Sequence, residues 1–80
     1  MTEEITLDRG DYVYLETRSS YNKNYYQHKE TGKVILEQYE ECSNTYEYFS
    51  YVEGQPLTLL GTSVESIDDG IITIHTDWIL

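Results

Sequence analysis

Polar and apolar positions along this chain alternate with a period of two, the signature of strands with one wet face. Tyr12 to Arg18 sets Val13, Leu15 and Thr17 against Tyr12, Tyr14 and Glu16. Val34 and Leu36 alternate against Ile35, Glu37 and Tyr39, and Ile72 and Ile74 share a face near the end. Alanine is absent, strong helix formers are scarce, and β-branched and aromatic residues abound, all of which favours sheet. Gly, Asn, Asp, Ser and Pro punctuate the pattern about every 8–12 residues, the spacing of a sandwich or barrel.

The pattern predicts strands at Glu4–Leu7, Tyr12–Arg18, Tyr25–Lys29, Lys33–Glu40, Thr45–Val52 and Ile71–His75. Leu57–Leu60 and Val64–Ile67 read as two short strands, or as one strand bent at Gly61. Turns are expected at Asp8–Asp11, Glu30–Gly32, Glu41–Asn44 and Glu53–Pro56. Asp69-Gly70 is the sharpest turn signal, because a two-residue hairpin needs positive φ. The expected fold is all-β, a small antiparallel barrel or strongly bent sheet of about 5–7 short strands. The Leu57–Ile74 stretch, with Gly-Gln-Pro before it and Asp-Asp-Gly within it, resembles the later strands of SH3-like barrels.

Eighty residues make one domain, residues 1–80, with a thin core. Apolar residues form 39% of the chain and nine residues are tyrosine, so folding rather than disorder is expected. The terminal Trp78-Ile79-Leu80 is too apolar to leave in water, and Trp78 or Leu80 is expected to dock on the core or on a partner.

Charge changes the picture most. The formal net charge is −10. All five bases (Arg9, Arg18, Lys23, Lys29, Lys33) precede Val34, and no Lys or Arg follows it, while nine acids do. Such a segment repels nucleic acid and anionic membranes and attracts basic surfaces. A surface selected for stability alone usually mixes both signs. Cys42 is the single cysteine, so no disulfide framework exists. The acidic Met1-Thr2-Glu3-Glu4 start lacks an apolar run and does not read as a signal peptide. The cytoplasm is the expected setting.

Catalysis needs an activated nucleophile, a tuned acid–base pair or a metal. Cys42 follows Glu40 and Glu41, whose charge disfavours a thiolate. His28 and His75 lack ligand-spaced partners, and Asp68-Asp69-Gly70 lacks the spaced oxygens of a calcium loop. No glycine-rich phosphate loop is present. Arg9-Gly10-Asp11 is read as a turn. No catalytic residue, metal or cofactor is therefore assigned.

One constellation rises above background, between Glu37 and Glu53, where acids interleave with tyrosines. If the arms pair around Cys42–Asn44, acids and phenols could stand in rows on one face, about 6.6 Å apart along a strand. Such rows could imitate duplex phosphates. The candidate partner-binding residues are Glu37, Tyr39, Glu40, Glu41, Tyr46, Glu47 and Tyr48. Small size, acidity and richness in tyrosine resemble phage-encoded anti-defence proteins such as anti-CRISPR proteins and other DNA mimics. That likeness is one of character and assigns no residue. It implies a small inhibitor, acting in the host cytoplasm if phage-encoded. The inhibitor would block a basic nucleic-acid-binding protein such as a nuclease, without itself touching nucleic acid or membrane. Two further expectations stand beside it. One is a β-barrel adaptor or assembly subunit, a homodimer through an exposed strand edge being one form of it, using Ile71, Trp78 and Leu80. The other is an immunity protein against a basic nuclease toxin.

Overall fold

The computed structural model describes residues 4–76. It is all-β: seven antiparallel strands form one sheet, curled into a half-barrel. The strands are β1 (Glu4–Asp8), β2 (Tyr12–Tyr14), β3 (Lys23–His28), β4 (Val34–Glu40), β5 (Thr45–Tyr51), β6 (Thr58–Ser63) and β7 (Ile71–His75). Their order across the sheet is β1-β7-β6-β5-β4-β3-β2. β1 and β2 are consecutive in sequence yet occupy opposite edges. Only the three-residue 3-10 turn Arg9–Asp11 joins them, and a linker that short spans about 14 Å at most. The two edges must therefore approach each other, and the sheet has to curl.

Two local features produce the bend. Between β5 and β6 the register shifts, so that Tyr48 faces Gly61 and Phe49 faces Leu59, leaving Leu60 as the extra residue of a β-bulge. β7 then crosses β6 closely, pairing only at Thr62 and His75. A Cβ on Gly61 would lie 2.6 Å from the His75 carbonyl oxygen, so only glycine fits there.

The curl encloses a core of Leu7, Tyr26, Ile35, Tyr48, Ile67, Ile72 and Ile74, with Tyr12, Tyr46 and Leu60 packed against it. Ile72 and Ile74 point inward while Ile71, Thr73 and His75 stay exposed, as period two requires. β4, an interior strand of the sheet, is covered on both sides. Ile35 and Glu37 face the concave core, whereas Leu36, only 1% exposed, lies on the convex face between Tyr25 and Phe49 in register. The loop between β2 and β3 crosses that convex face and sets the Arg18 guanidinium over the Tyr51 ring. Tyr51 in turn meets Tyr25 edge-on at 5.6 Å.

Several sequence expectations need correction. β2 stops at Tyr14, because the chain turns at Leu15, whose carbonyl accepts from the N–H groups of Arg18 and Ser19. Of the two readings of Leu57–Ile67, the single bent strand is the one found: β6 runs through Gly61 beside the bulge, but it ends at Ser63 and does not reach Ile67. Val64 to Ser66 then turns into a 3-10 segment, Ile67–Asp69, capped by the Ser66 hydroxyl, which accepts from the Asp68 N–H. Gly70 does adopt positive φ, at 128°, but it closes this 3-10 turn rather than a two-residue hairpin. The expected docking of Trp78 or Leu80 lies outside the described residues. Among the described residues, no helix is long and apolar enough to cross a membrane.

Replacing Gly61 by alanine should force β6 from β7 and destabilise the fold by about 2 kcal/mol, read as a lower midpoint in urea unfolding. An unchanged midpoint would contradict the close crossing.

Candidate partner-binding site

The β4–β5 hairpin forms around a turn at residues 41–44, as the sequence suggests, with Tyr39 opposite Tyr46 and Glu40 opposite Thr45. Asn44 takes the left-handed conformation, φ 57°, that such a turn needs. Its side-chain oxygen accepts from the Tyr39 hydroxyl at 2.5 Å. The Glu40 carboxylate accepts from the Cys42 N–H at 3.1 Å. Glu40 thus holds the turn, and Cys42 is an exposed free thiol within it.

The register divides the candidate residues. Glu37, Tyr39, Tyr46 and Tyr48 share the parity of Ile35 and face the concave side. Glu40 and Glu47 have the opposite parity, and Glu41 sits in the turn. Acids and phenols therefore do not line one face in rows. Glu37 and Tyr48 are buried, at 1% and 0% exposure. Their side chains cannot meet a partner, which corrects the sequence assignment of these two residues. Tyr39, Glu40, Tyr46 and Glu47 are half-buried, and Glu41 is exposed.

Glu37 and Tyr48 instead build the floor of the site. One Glu37 oxygen accepts from the Tyr48 hydroxyl at 2.5 Å, the Ser66 hydroxyl at 2.8 Å and the Ile67 N–H at 3.0 Å. The other accepts from the Asn24 amide at 3.1 Å. The Ile67 N–H also reaches the Tyr48 oxygen at 2.8 Å. Four donors from β3, β5 and the turn before β7 converge on one side chain, so its burial leaves no lone acceptor. Burial, then the hydrogen bond and charge of Glu37, hold the Tyr48 phenol well above its ordinary range. Tyr26 is raised chiefly by burial and then by Glu37 and Asp68, with Arg9 opposing.

Over this floor lie two continuous grooves. The inner one, about 330 Å³, holds Arg9, Tyr14, Tyr26 and Asp68 and shares Asn24 and Tyr46 with its neighbour. The outer one, about 350 Å³, is lined by Tyr21, Asn22, Asn24, Tyr39, Glu41 and Tyr46. Tyr39 and Tyr46 meet at 5.1 Å between ring centres. Tyr21 is 90% exposed, and its hydroxyl donates to Glu41 at 3.4 Å. The Tyr46 phenol is raised by burial first, then by the negative charge of Glu37, by Tyr39 and by Asp69. Because Tyr46 pairs with Ser63, Glu65 and the 3-10 turn bearing Asp68 and Asp69 emerge at this same end. Lys29 and Lys33 flank the β3–β4 turn at the opposite end of the sheet.

No family model, curated protein or solved structure matches this chain. The site is read from its own chemistry. Among the described residues, no group of three or more His, Cys, Asp or Glu side chains could hold a metal. His28 builds a turn, its Nδ1 accepting from the N–H groups of Glu30 and Thr31. His75 stands 3.4 Å from Glu4 across the β1–β7 pair. Sequence reasoning missed Tyr21, Asn22 and Asn24, which lie between the strands it expected at Tyr12–Arg18 and Tyr25–Lys29. A tyrosine amid serine and asparagine was the available signal.

Glu37→Ala should take the carboxylate acceptor from the Tyr48, Ser66 and Asn24 donors and cost about 3 kcal/mol, with Glu37→Gln losing less. Urea unfolding checks both, and equal losses would contradict the convergence. The raised phenols give a second expectation. Tyr26 and Tyr48 stay protonated in the fold above the pH, about 10, where the unfolded chain ionises. Their contribution is complete below about pH 10 and is lost as pH rises, at about 1.4 kcal/mol per pH unit for each phenol. Phenolate absorbance should therefore rise in step with loss of structure.

Proposed function

We propose that this protein is a small acidic inhibitor that binds and blocks a basic nucleic-acid-binding protein, in the manner of phage anti-defence proteins. The observation that carries this reading is the gathering of Glu41, Asp68 and Asp69 around the tyrosine-lined grooves at one end of the half-barrel. Arg9 is the one base lining those grooves among the described residues, and it is engaged by Asp68 at 3.3 Å. Carboxylates would pair with the target's Arg and Lys, tyrosines would pack along their stems, and nucleic acid would be excluded by bulk and charge. Tyrosine suits this use because it offers rigid contact area with a polar tip. The action is binding, with no chemical step on the partner.

A second reading, a β-sheet adaptor or self-associating subunit, is favoured by Val64 and Ile71. These are 77% and 68% exposed where β6 and β7 splay.

Salt separates the two. Tagged protein, with nucleic acid digested away, should capture a nucleic-acid-guided nuclease at low salt and lose most of it at high salt. Reversing Glu41, Asp68 and Asp69 to lysine should weaken that capture about 10-fold or more. Capture that ignores both salt and charge reversal would sink the inhibitor reading and point to the Val64–Ile71 patch.

A further inference from the structure

The fold already seats one guanidinium on this surface. Arg9 lies over the Tyr26 ring at 5.1 Å, donates from Nη1 to the Tyr12 carbonyl at 2.8 Å, and donates from Nε to Asp68 at 3.3 Å. An aromatic face, a carboxylate and an amide-type oxygen together satisfy the ring-stacking plane and the fork of donors that define this side chain. Arg18 repeats the ring contact over Tyr51 on the convex face.

The outer groove next to Arg9 offers the same three elements. Tyr39 and Tyr46 supply tilted ring faces, Tyr21 a third and exposed one, and Glu41 the carboxylate. Asn22 and Asn24 line its wall, the Asn24 oxygen already accepting from the Tyr14 hydroxyl at 3.4 Å. No basic side chain lines it among the described residues. The surrounding potential is negative, from Glu37 beneath and Asp69 beside Tyr46. A neutral or anionic group would gain nothing from such a wall, and an apolar one would strand its carboxylate and amides. The volume, about 350 Å³, admits one long side chain rather than a folded element.

We infer that the outer groove between Tyr21, Tyr39, Tyr46 and Glu41 is a receptor for one arginine side chain of the protein's partner. This rests on the reading that the partner is basic, and it names the group recognised. Arginine is specified over lysine because a flat guanidinium can lie against the tyrosine rings while its edge meets Glu41. An ammonium is a point charge that prefers its water.

The test uses the full chain at low salt, titrated with acetyl-Gly-Arg-Gly-amide and followed by amide NMR shifts. The matching Lys and citrulline peptides serve as comparisons. The expected result is saturable shifts confined to Asn22, Asn24, Tyr39 and Glu41, with the Lys peptide at least about 3-fold weaker and citrulline weaker still. Tyr21→Ala and Glu41→Gln alter exposed side chains and should each weaken the Arg peptide about 3-fold or more. Glu53→Gln, the same charge change at the far end, should leave it unchanged. Equal response to Arg and Lys, shifts spread over the acidic surface, or indifference to Tyr21→Ala would overturn the inference. Localised arginine binding without salt-sensitive nuclease capture would uphold the groove and remove the inhibitor reading. Capture that survives Tyr21→Ala and Glu41→Gln undiminished would do the reverse.

Discussion

The buried Glu37 side chain is the constraint around which this molecule is arranged. A carboxyl group taken out of water is costly unless its oxygens are engaged, and here donors arrive from three separated parts of the chain. Tyr48 comes from the neighbouring strand, Asn24 from the strand on the other side, and Ser66 and Ile67 from a turn that would otherwise have little to hold it. Among the described residues no buried side-chain polar atom lacks a partner, so the network is complete and favours one arrangement over its competitors.

That arrangement also makes the outer surface. Anchoring Ser66 and Ile67 fixes the 3-10 turn, and the turn presents Asp68 to Arg9 and brings Asp69 beside Tyr46. Arg9 is itself the first residue of the short connection between the two edge strands. Closure of the half-barrel, the polarity of its interior and the charge of its grooved end are thus linked through a few side chains. The tyrosines serve both layers: Tyr48 and Tyr26 are core, Tyr46 is packed against the core but lines both grooves, and Tyr21 belongs to the surface.

Much of the fold was legible in the sequence. Period-two alternation and turn residues placed all of β1, β3, β4, β5 and β7 to within a residue or two, and Ile35, Glu37 and Tyr39 were rightly grouped on one side of β4. What alternation could not say was which side of β4 is inside, since Leu36 and Glu37 are both covered. A glutamate followed by Gln38 and Tyr39 reads as wet until its donors are known, and those lie in other strands and in the turn before β7. The same limit scattered the proposed rows: Glu40 and Glu47 alternate away from the tyrosines, while Tyr21 and Asn24 join them from the β2–β3 loop and β3. The sequence left β6 open between two strands and one bent strand, because glycine signals both. Only the approach of His75 shows that Gly61 continues the strand.

The pairing of β1 with β7 has a kinetic side. Every residue of β1 takes its partner from the far end of the described chain, so this ladder closes a loop enclosing the whole of the remaining sheet. Entropy delays such long-range closure relative to the β3–β4 and β4–β5 hairpins, whose partners are close in sequence. During synthesis, β1 leaves the ribosome long before β7 exists. Until then its backbone edge and Leu7 stay open to other chains. The acids of this chain would then serve the nascent protein as well as the finished one, by keeping unfinished copies apart.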